Sequence, residues 1–337
     1  MRRAARWLVA AWVLFGLAAG PAVARTLAVG PDAALKRPSD AAKAAQDGDT
    51  VLIAPGTYYD CAIWRANGLT IAAAGPGVVM TDTACQGKAS FVIGGRGVTV
   101  RGITFARIRV ADGNGAGIRA EGGDLTVEQC SFINNQVAIM TAPNPAATLR
   151  VRDSHFRDNG ACEGGRCQGT LMVGRLAGLE VTESSFAAPR GGVTIASDAG
   201  ATTLRGNHIA DAEGRGAGLV RITVRGKVVV ANNVLEQPGD RAAVALTGGG
   251  GAVEVRGNTY RGSGALVLNW SDADPAMQGN DVGPDGTALS TSGAWWALLK
   301  ATAHRFYDPA HAFAGKVKGK LVELGGKGIG RLGHLLP

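Results

Sequence analysis

The chain is poor in aromatic residues, in charged residues and in cysteine. Aromatic residues make up 5% of its 337 residues and charged residues 18%, and five residues are cysteines. No dense basic run is interleaved with aromatic residues, which argues against a nucleic-acid-binding protein. Glycine is abundant, at 51 residues, but without a G-X-Y period, so a collagen-like triple helix is excluded. This much glycine suits a fold with a turn every few residues.

The first 24 residues have the pattern of an export signal. Three arginines within the first six residues precede an apolar run from Trp7 to Ala19, and Ala22-Val23-Ala24 follows as a small-residue cleavage site. We expect cleavage after Ala24, a periplasmic or secreted bacterial protein, and no stable membrane insertion of the mature chain. The alternative is an uncleaved anchor helix, because the run with its flanks is almost long enough to span a bilayer.

Export makes the cysteines interpretable, because disulfides persist in oxidising compartments. Cys162 and Cys167 flank the loop sequence CEGGRC and can close it, and Cys61 and Cys85 form the other natural pair. Cys130 is left over. We predict a buried free thiol and not a nucleophile, because its position in the repeat described next faces inward and denies it access to a substrate.

Seven segments of eight residues share one pattern and recur about every 26 residues. Positions one, three and eight of each segment are mostly apolar, and positions two and seven are mostly polar. Positions four and five are polar or small, and position six is mostly a small or amide residue. The segments are VTVRGITF, LTVEQCSF, LRVRDSHF, LEVTESSF, TTLRGNHI, VVVANNVL and VEVRGNTY, and they end at Phe105, Phe132, Phe156, Phe186, Ile209, Leu235 and Tyr260. A fixed period with strand-type alternation inside each unit predicts a solenoid made of strands.

Each unit contains a corner. The first, third and eighth positions are predicted to point inward, and the break in alternation between the third and the eighth marks a turn between two short strands. A third strand follows each unit, as in GIRAE or VTIAS, so three strands per coil stack at roughly 4.8 Å per coil in a parallel β-helix. The sixth positions would stack at the corner as a polar ladder that ends in Asn207, Asn233 and Asn258. The four phenylalanines that close the first four segments would stack in the core.

These repeats, and the asparagine ladder in particular, resemble the pectate-lyase-like right-handed β-helix superfamily. The segment DGDTVLIAPGTYYD and the short helix predicted to begin at Pro38-Ser39-Asp40, with Ser39 as its cap, resemble the N-terminal end of such proteins. The resemblance covers roughly Thr26 to Asp274. It implies an all-β fold, a single right-handed parallel β-helix over residues 25–275 with an N-terminal helical cap. We predict a C-terminal helical cap and a basic glycine-rich tail over residues 276–337.

The resemblance also implies where a substrate would lie. In the enzymes of this superfamily it lies along the strand before the ladder unit, here the third strands. Taking the aliphatic residues of these strands as inward, we predict that the outward substrate-binding residues are Arg119, Glu121, Thr194, Asp198, Thr223, Thr247 and Asn269. Lyase or epimerase chemistry on a uronate polymer needs a base and a positive group that neutralises the sugar carboxylate. Arg221, flanked by Thr194 and Thr247, is the candidate catalytic residue, with Arg175 beside it; the alternative is a solvated arginine.

The chemistry is less sharply indicated than the fold. The superfamily's calcium-binding aspartate cluster, its Asp-Pro-His-Asp epimerase motif and its polygalacturonase motifs are absent. No metal site and no certain cofactor is therefore predicted, although Ca²⁺ stays open. We expect a monomer that binds or processes a polysaccharide, perhaps an acidic one, as a lyase or epimerase and not a hydrolase. The alternative is a non-catalytic envelope scaffold or glycan-binding protein.

Two further outward rows have alternative interpretations. His155 and His208 share one position of the repeat with Ser185 between them, about 10 Å apart and too far apart to share a metal. They are either exposed polar residues or ligand contacts. Arginines alternate with glutamates on the strand before the corner, which indicates either a soluble surface or a face that binds a polyanion. The arginines are Arg101, Arg150, Arg152, Arg205 and Arg256.

Overall fold

The computed structural model describes residues 24–163 and 165–291, which form a cylinder of short parallel strands with one short helix. The helix α1 spans Pro38–Ala44. The strands are β1 (Thr26–Val29), β2 (Thr50–Ile53), β3 (Gly56–Tyr58), β4 (Ala62–Trp64), β5 (Thr70–Ala73), β6 (Val78–Thr81), β7 (Ala89–Ile93), β8 (Val98–Arg101), β9 (Thr104–Ala106), β10 (Ala116–Ala120), β11 (Leu125–Glu128), β12 (Ser131–Ile133), β13 (Val137–Thr141), β14 (Asn144–Arg152), β15 (His155–Arg157), β16 (Ala161–Glu163), β17 (Arg166–Gln168), β18 (Leu171–Val173), β19 (Leu176–Thr182), β20 (Ser185–Ala187), β21 (Val193–Ser197), β22 (Ala201–Arg205), β23 (His208–Ala210), β24 (Gly218–Val224), β25 (Val228–Ala231), β26 (Val234–Glu236), β27 (Val244–Gly248), β28 (Val253–Arg256), β29 (Thr259–Arg261), β30 (Ala265–Ser271), β31 (Ala276–Gln278), β32 (Asp281–Val282) and β33 (Thr287–Ser290).

Three long parallel sheets make the walls of the cylinder. Sheet A is 11-stranded, in the order β1-β2-β5-β8-β11-β14-β19-β22-β25-β28-β31. Sheet B is 10-stranded, from β3 through β6, β9, β12, β15, β20, β23, β26 and β29 to β32. Sheet C is also 10-stranded, from β4 through β7, β10, β13, β18, β21, β24, β27 and β30 to β33. From β2 onward each coil contributes one strand to each sheet, as the repeat predicted, and the first coil contributes only β1 to sheet A.

The coil is shorter and the array longer than the seven repeats suggest. About 11 coils of about 24 residues are present, whereas the repeats alone predict about 26. The first coils lie outside the repeats and are shorter, which lowers the mean coil length. Thr70, for example, is already the strand partner of Thr50 in the preceding coil. At the other end, β31, β32 and β33 pair with the three sheets. The β-helix therefore continues past residue 275, where the sequence analysis placed its end.

The ladder at the corner between sheets A and B is confirmed. The side-chain oxygen of each residue accepts the backbone N–H of its predecessor one coil away, from Cys130 to Ser154 at 3.2 Å and from Asn207 to Asn233 at 2.9 Å. It continues through Asn258 to Asn280, whose Oδ1 accepts the Asn258 N–H at 3.0 Å. Asn280 follows the seventh repeat and was not part of the prediction. The ladder supplies acceptors for backbone groups that would otherwise be buried without partners.

The residue before each ladder position has a left-handed backbone. From Gly102 through Gln129, Asp153, Glu183, Gly206 and Asn232 to Gly257, φ lies between 48° and 72°. Residues other than glycine adopt this conformation at a cost, which is smaller for asparagine and aspartate, so it defines a fixed corner between two strands. It explains why the fifth position of the repeat is small or polar and never β-branched.

The core contains the predicted aromatic stack. The rings of Phe105, Phe132, Phe156 and Phe186 lie one above the other, with centroid separations of 5.1, 4.9 and 4.3 Å. All four side chains are almost fully buried. Burial of such large apolar side chains is the main favourable term for the cylinder.

A second asparagine ladder, which the repeat did not predict, lies at the corner between sheets B and C. Asn135 Oδ1 accepts the Ile108 N–H at 3.1 Å, and Asn159 Oδ1 accepts both the N–H and the side-chain amide of Asn135, at 3.0 and 2.9 Å. Both asparagines are fully buried. They follow the eight-residue segments at a spacing of three, so a longer window on the repeat would have revealed them.

The helix α1 forms where it was expected, but its cap differs. The N-cap residue is Arg37 and no side chain caps the helix. Ser39 lies inside the first turn, and its backbone N–H donates to Asp60 Oδ2 at 2.8 Å, so the predicted Ser39 cap is wrong. Ala41 is buried and α1 packs against β1 and β4. The C-terminal helical cap and the signal segment lie outside the described residues. Within the described part, no helix could cross a membrane.

The cysteines pair as predicted. Disulfides join Cys61 to Cys85 and Cys162 to Cys167, and Cys130 is a buried free thiol. Cys162 and Cys167 also face each other across the small antiparallel hairpin β16–β17. Burial away from water raises the pKa of the Cys130 thiol to about 12, because desolvation disfavours the thiolate. A reactive role for Cys130 has no support in this environment.

Candidate functional site

The outer face of sheet C divides into two polar groups separated by an apolar floor. Its central outward row consists of successive strand partners: Val92, Arg119, Met140, Met172, Ala196, Arg221, Ala245 and Leu268. Arg119 and Arg221 are four coils apart, about 19 Å along the axis at the usual strand spacing. The mixed polar stripe expected from the sequence is therefore interrupted by Met140, Met172 and Ala196.

The C-terminal group lies in a second outward row. Thr223, Thr247 and Trp270 are successive strand partners, and the Thr223 hydroxyl donates a short hydrogen bond to Asp198 Oδ1 on the preceding coil. Asp198 is exposed, and both threonines and Trp270 are half-buried. Arg221 is two residues before Thr223 on the same strand, so both side chains lie on the same outer face. We call Asp198, Arg221, Thr223, Thr247 and Trp270 the C-terminal patch.

Two residues predicted to point outward do not. Thr194 is 1% exposed and its neighbour Ile195 is fully buried, because strict alternation fails at the start of this strand, where the pairing skips Thr194. Asn269 is in register with the inward Leu246. Its Oδ1 accepts the backbone N–H and the hydroxyl of Ser271, at 3.0 and 2.6 Å, so it holds a turn.

These register differences change the neighbours of Arg221. Its strand partners are Ala196 and Ala245, and not Thr194 and Thr247 as the sequence analysis expected. Arg175 is exposed in the turn after β18, two coils from Arg221 and further along the strand direction. The structure therefore brings Asp198, and not Arg175, to the region of Arg221.

Trp270 is the residue that sequence reasoning missed. It takes the outward position that was assigned to Asn269, next to Thr247. Its indole Nε1 is buried and makes no hydrogen bond with a described residue. A usable signal was present, since Trp270 directly follows the last predicted third strand. A half-buried indole on a sheet face offers part of its apolar ring surface, while its polar edge here is turned away from solvent.

The N-terminal group consists of Lys88, Arg119 and Glu121. Lys88 Nζ lies 2.8 Å from Glu121 Oε1, and Arg119 Nε lies 3.6 Å from the same oxygen. Arg119 also contacts the Met140 sulfur. Two cations thus neutralise one carboxylate, which gives this group a local surplus of positive charge.

Loops cover the outer face of sheet C at this end. Ala89, Val92, Ala116 and Val137 are almost fully buried although they form an apolar cluster outside the main core, and Cys85 packs against them. The Cys61–Cys85 disulfide therefore fastens a loop over the first strands of sheet C. The outward row of this face is partly exposed from Arg221 onward, whereas Ala196 is buried.

The two histidines behave as an outward pair in register. His155 and His208 are both strand partners of Ser185 on sheet B. His155 Nδ1 lies 2.8 Å from Ser185 Oγ, and His208 Nε2 lies 3.3 Å from Glu236 Oε2. Among the described residues, no group of three or more His, Cys, Asp or Glu side chains is arranged to hold a metal ion.

Comparisons with known proteins identify the fold. No protein-family model matches the chain, and no curated protein sequence matches it. A PL6 family alginate lyase, AlyGC, is similar in structure with a TM-score of 0.50 and 16% identity, over 77% of this chain and 40% of that one. The pectin methylesterase from Aspergillus niger has a TM-score of 0.38 and 13% identity, over 87% of this chain and 98% of that one. For the mannuronan C-5 epimerase AlgE6 A-module from Azotobacter vinelandii the values are 0.36 and 14%, over 75% and 92%.

The protein is thus a right-handed parallel β-helix, the fold that it shares with the alginate lyase AlyGC. The β-helix fold that the asparagine ladder and the repeats predicted is therefore confirmed. The chain spans less than half the length of the alginate lyase that it matches.

Proposed function

We propose that this protein is exported and binds a linear polysaccharide along the open outer face of sheet C, centred on the C-terminal patch. The observation that carries this proposal is the row of Asp198, Thr223, Thr247 and Trp270 beside Arg221. Carboxylate, hydroxyl and guanidinium groups hydrogen-bond sugar hydroxyls and acidic groups, while the indole face packs against the apolar side of a sugar ring. Strand partners at a spacing of about 4.8 Å suit a polymer lying along the axis.

Two other features support this proposal. The alginate lyase with the same fold acts on a polysaccharide, as its name states. The two disulfides support an oxidising compartment, which agrees with the proposed signal segment over residues 1–24.

The C-terminal patch also contains the groups that a β-elimination on a uronate polymer requires. Arg221 would neutralise the uronate carboxylate, which acidifies the adjacent C–H. The Asp198 carboxylate would remove that proton, the electron pair would form a carbon–carbon double bond, and the bond to the glycosidic oxygen would break. The leaving oxygen would take a proton from water. We assign Asp198 this role because it is the acidic residue of the patch.

A non-catalytic glycan-binding role is the second candidate. It is favoured by the apolar floor of Met140, Met172 and Ala196, which leaves few charges in the middle of sheet C. In that case Asp198 would only orient Thr223.

One set of variants can test binding and turnover separately. Affinity for a panel of alginate, pectate, glycosaminoglycans and neutral glucans is measured by calorimetry, and lyase turnover by the ultraviolet absorbance of the unsaturated product. Trp270→Ala and Arg221→Ala should each weaken binding roughly tenfold, and Asp198→Asn should abolish turnover while binding persists. The matched control is Arg157→Ala on sheet B, where the side chain is 74% exposed. Equal affinity of Trp270→Ala, Arg221→Ala and wild type would overturn the site. Binding without turnover by wild type would select the non-catalytic role.

A further inference from the structure

Sheet A has an arginine on every second coil in one outward row. The row runs through successive strand partners Arg101, Glu128, Arg152, Thr182, Arg205, Ala231 and Arg256. We call Arg101, Arg152, Arg205 and Arg256 the arginine row. All four occupy the fourth position of the eight-residue repeat, just before the left-handed corner residue, so the rigid corner fixes where each one leaves the sheet.

The spacing of the arginine row is set by the backbone. Adjacent parallel strands lie about 4.8 Å apart, so arginines on alternate coils recur at about 9.6 Å along the cylinder axis. From Arg101 to Arg256 the row covers six coil steps, about 29 Å. A parallel sheet this long is stiff, and the repeat distance of the cations is therefore preorganised.

The side chains of the row are accessible. The exposed fractions of Arg101, Arg152 and Arg256 are 52%, 61% and 42%, and Arg205 is exposed as well. Among the described residues, Arg205 has no ion pair and no side-chain hydrogen bond. Thr182 and Ala231, the partners on either side of it, carry no charge.

Carboxylates near the row are unevenly distributed. Glu128 lies between Arg101 and Arg152, 4.0 Å from the first and in close contact with the second. Glu254 lies 3.9 Å from Arg256 and also contacts Lys227. At the corner, Asp153 accepts a hydrogen bond from Gln129, and Glu183 lies against Gly206. Arg205, between Thr182 and Ala231, is therefore the member of the row with the least compensated positive charge, while Arg152 and Arg256 each share a carboxylate.

We propose that the arginine row binds an extended acidic polysaccharide with one carboxylate in each two-sugar repeat, lying parallel to the cylinder axis. In an extended, equatorially linked chain, successive sugars are rotated by about half a turn. Groups of one kind on one edge therefore recur every second sugar, at a distance close to two coils of this protein. Each carboxylate would meet one guanidinium, which is the planar cation best suited to pair with it. This site is on sheet A, separate from the C-terminal patch on sheet C, and goes beyond the function proposed above.

The charge pattern predicts specificity as well as binding. A polymer with a carboxylate on every sugar would have additional charges on its opposite edge or over Glu128 and Thr182. The row has no cation at those two positions. A neutral polymer would gain no ion pairs. Each exposed ion pair is weak, so measurable affinity needs several arginines at once.

The test uses the triple variant Arg152→Ala/Arg205→Ala/Arg256→Ala and, as the matched control, Arg150→Ala from the neighbouring row of sheet A. The probes are hyaluronan fragments, which carry one carboxylate per two-sugar repeat, polygalacturonate fragments of equal length, and dextran. Affinity is measured by calorimetry at low and at high salt. Thermal unfolding of each variant checks that the surface changes leave the fold intact.

We expect wild type to bind hyaluronan fragments with an affinity that rises with length up to about four repeats and falls with salt. The triple variant should bind roughly tenfold or more weakly, and Arg150→Ala should bind like wild type. Equal losses in the triple variant and in Arg150→Ala would show a non-specific charge effect and overturn the proposal, as would equal affinity for dextran or tighter binding of polygalacturonate. If Trp270→Ala abolishes hyaluronan binding and the triple variant does not, the ligand lies on sheet C, and only the inference about sheet A fails.

Discussion

The Oδ1 atom of Asn233 accepts two hydrogen bonds from Asn207, one from its backbone N–H at 2.9 Å and one from its side-chain amide at 3.0 Å. Asn258 repeats the arrangement one coil further, accepting from Asn233 at 3.0 and 2.9 Å. Each amide also donates to a main-chain carbonyl, for Asn233 that of Leu204. One residue type thus satisfies donors and acceptors of three successive coils at a buried corner.

Replacing Asn233 with alanine should therefore destabilise the protein strongly. The change leaves two donors of Asn207 and the carbonyl of Leu204 without partners in a buried corner, at about 1–3 kcal/mol for each unsatisfied group. We expect a loss of at least about 3 kcal/mol in the free energy of unfolding, measured by denaturant titration. Thr203→Ala, on the outer face of the coil that contains Asn207, is the control and should stay within about 0.5 kcal/mol of wild type. Similar effects of the two changes would contradict a structural role for the ladder.

The two disulfides should contribute unequally to stability. Cys61 and Cys85 are separated by 24 positions and Cys162 and Cys167 by 5, and a cross-link stabilises more when it closes a longer loop. Replacing the first pair with serines should cost roughly 3.5 kcal/mol and the second roughly 2 kcal/mol. Thermal unfolding of the two double-serine variants under oxidising conditions measures the order. The reverse order would mean that strain or contacts in the folded state outweigh the loop entropy.

The first coil should lose stability in acid. Side-chain hydrogen bonds from Arg25 and the backbone N–H of Gln46 hold the pKa of Asp49 well below its usual range. Because the folded state prefers the carboxylate, this contribution is fully present above the unfolded pKa of about 4. It is lost as the pH falls from there toward the lower folded pKa.

A comparison of wild type and Asp49→Asn tests this. Unfolding is followed by denaturant titration from neutral pH down into the acid range. Wild type should become less stable below about pH 4, whereas Asp49→Asn should be less stable at neutral pH and should show a smaller decrease in acid. Parallel pH profiles for the two proteins would show that Asp49 does not carry this dependence.

Cys130 should be unreactive in the folded protein. The thiol is fully buried, and the pKa of about 12 leaves almost no thiolate at neutral pH. A maleimide reagent should leave the native protein unlabelled and should label one thiol after unfolding in denaturant without reductant. Rapid labelling of the native protein would contradict the burial of this ladder position, and Cys130→Ser provides the zero reference.

Most of the fold follows from local patterns in the sequence. The repeat specified three strands per coil, the inward positions, the corner ladder and the phenylalanine stack, because each of these depends on residues close together in the chain. The buried Cys130 followed from its position in the repeat, whereas the Cys162–Cys167 disulfide followed from the short loop between the two cysteines and Cys61–Cys85 from being the other natural pair. The Asn135–Asn159 ladder was missed because only the eight-residue window was compared between coils.

The candidate site depended on which residues of each third strand face outward, and the repeat does not fix this at the strand ends. Thr194 and Asn269 were assigned outward by strict alternation, and a single departure from alternation at the start or end of a strand reverses which side chain faces outward. Such a departure depends on how a strand bends to meet the neighbouring sheet, which is a tertiary property. Trp270 and the pairing of Asp198 with Thr223 became visible only once the register of sheet C was known.

The sequence by itself determined that this chain coils into a cylinder, because stacking its repeats buries their periodic apolar positions in one continuous core. Which outward residues become neighbours was decided by the tertiary structure. Residues about 25 positions apart in the chain are brought to about 4.8 Å by strand pairing, and variable loops shift that register from coil to coil. The arginine row on sheet A and the C-terminal patch on sheet C both arise from this pairing.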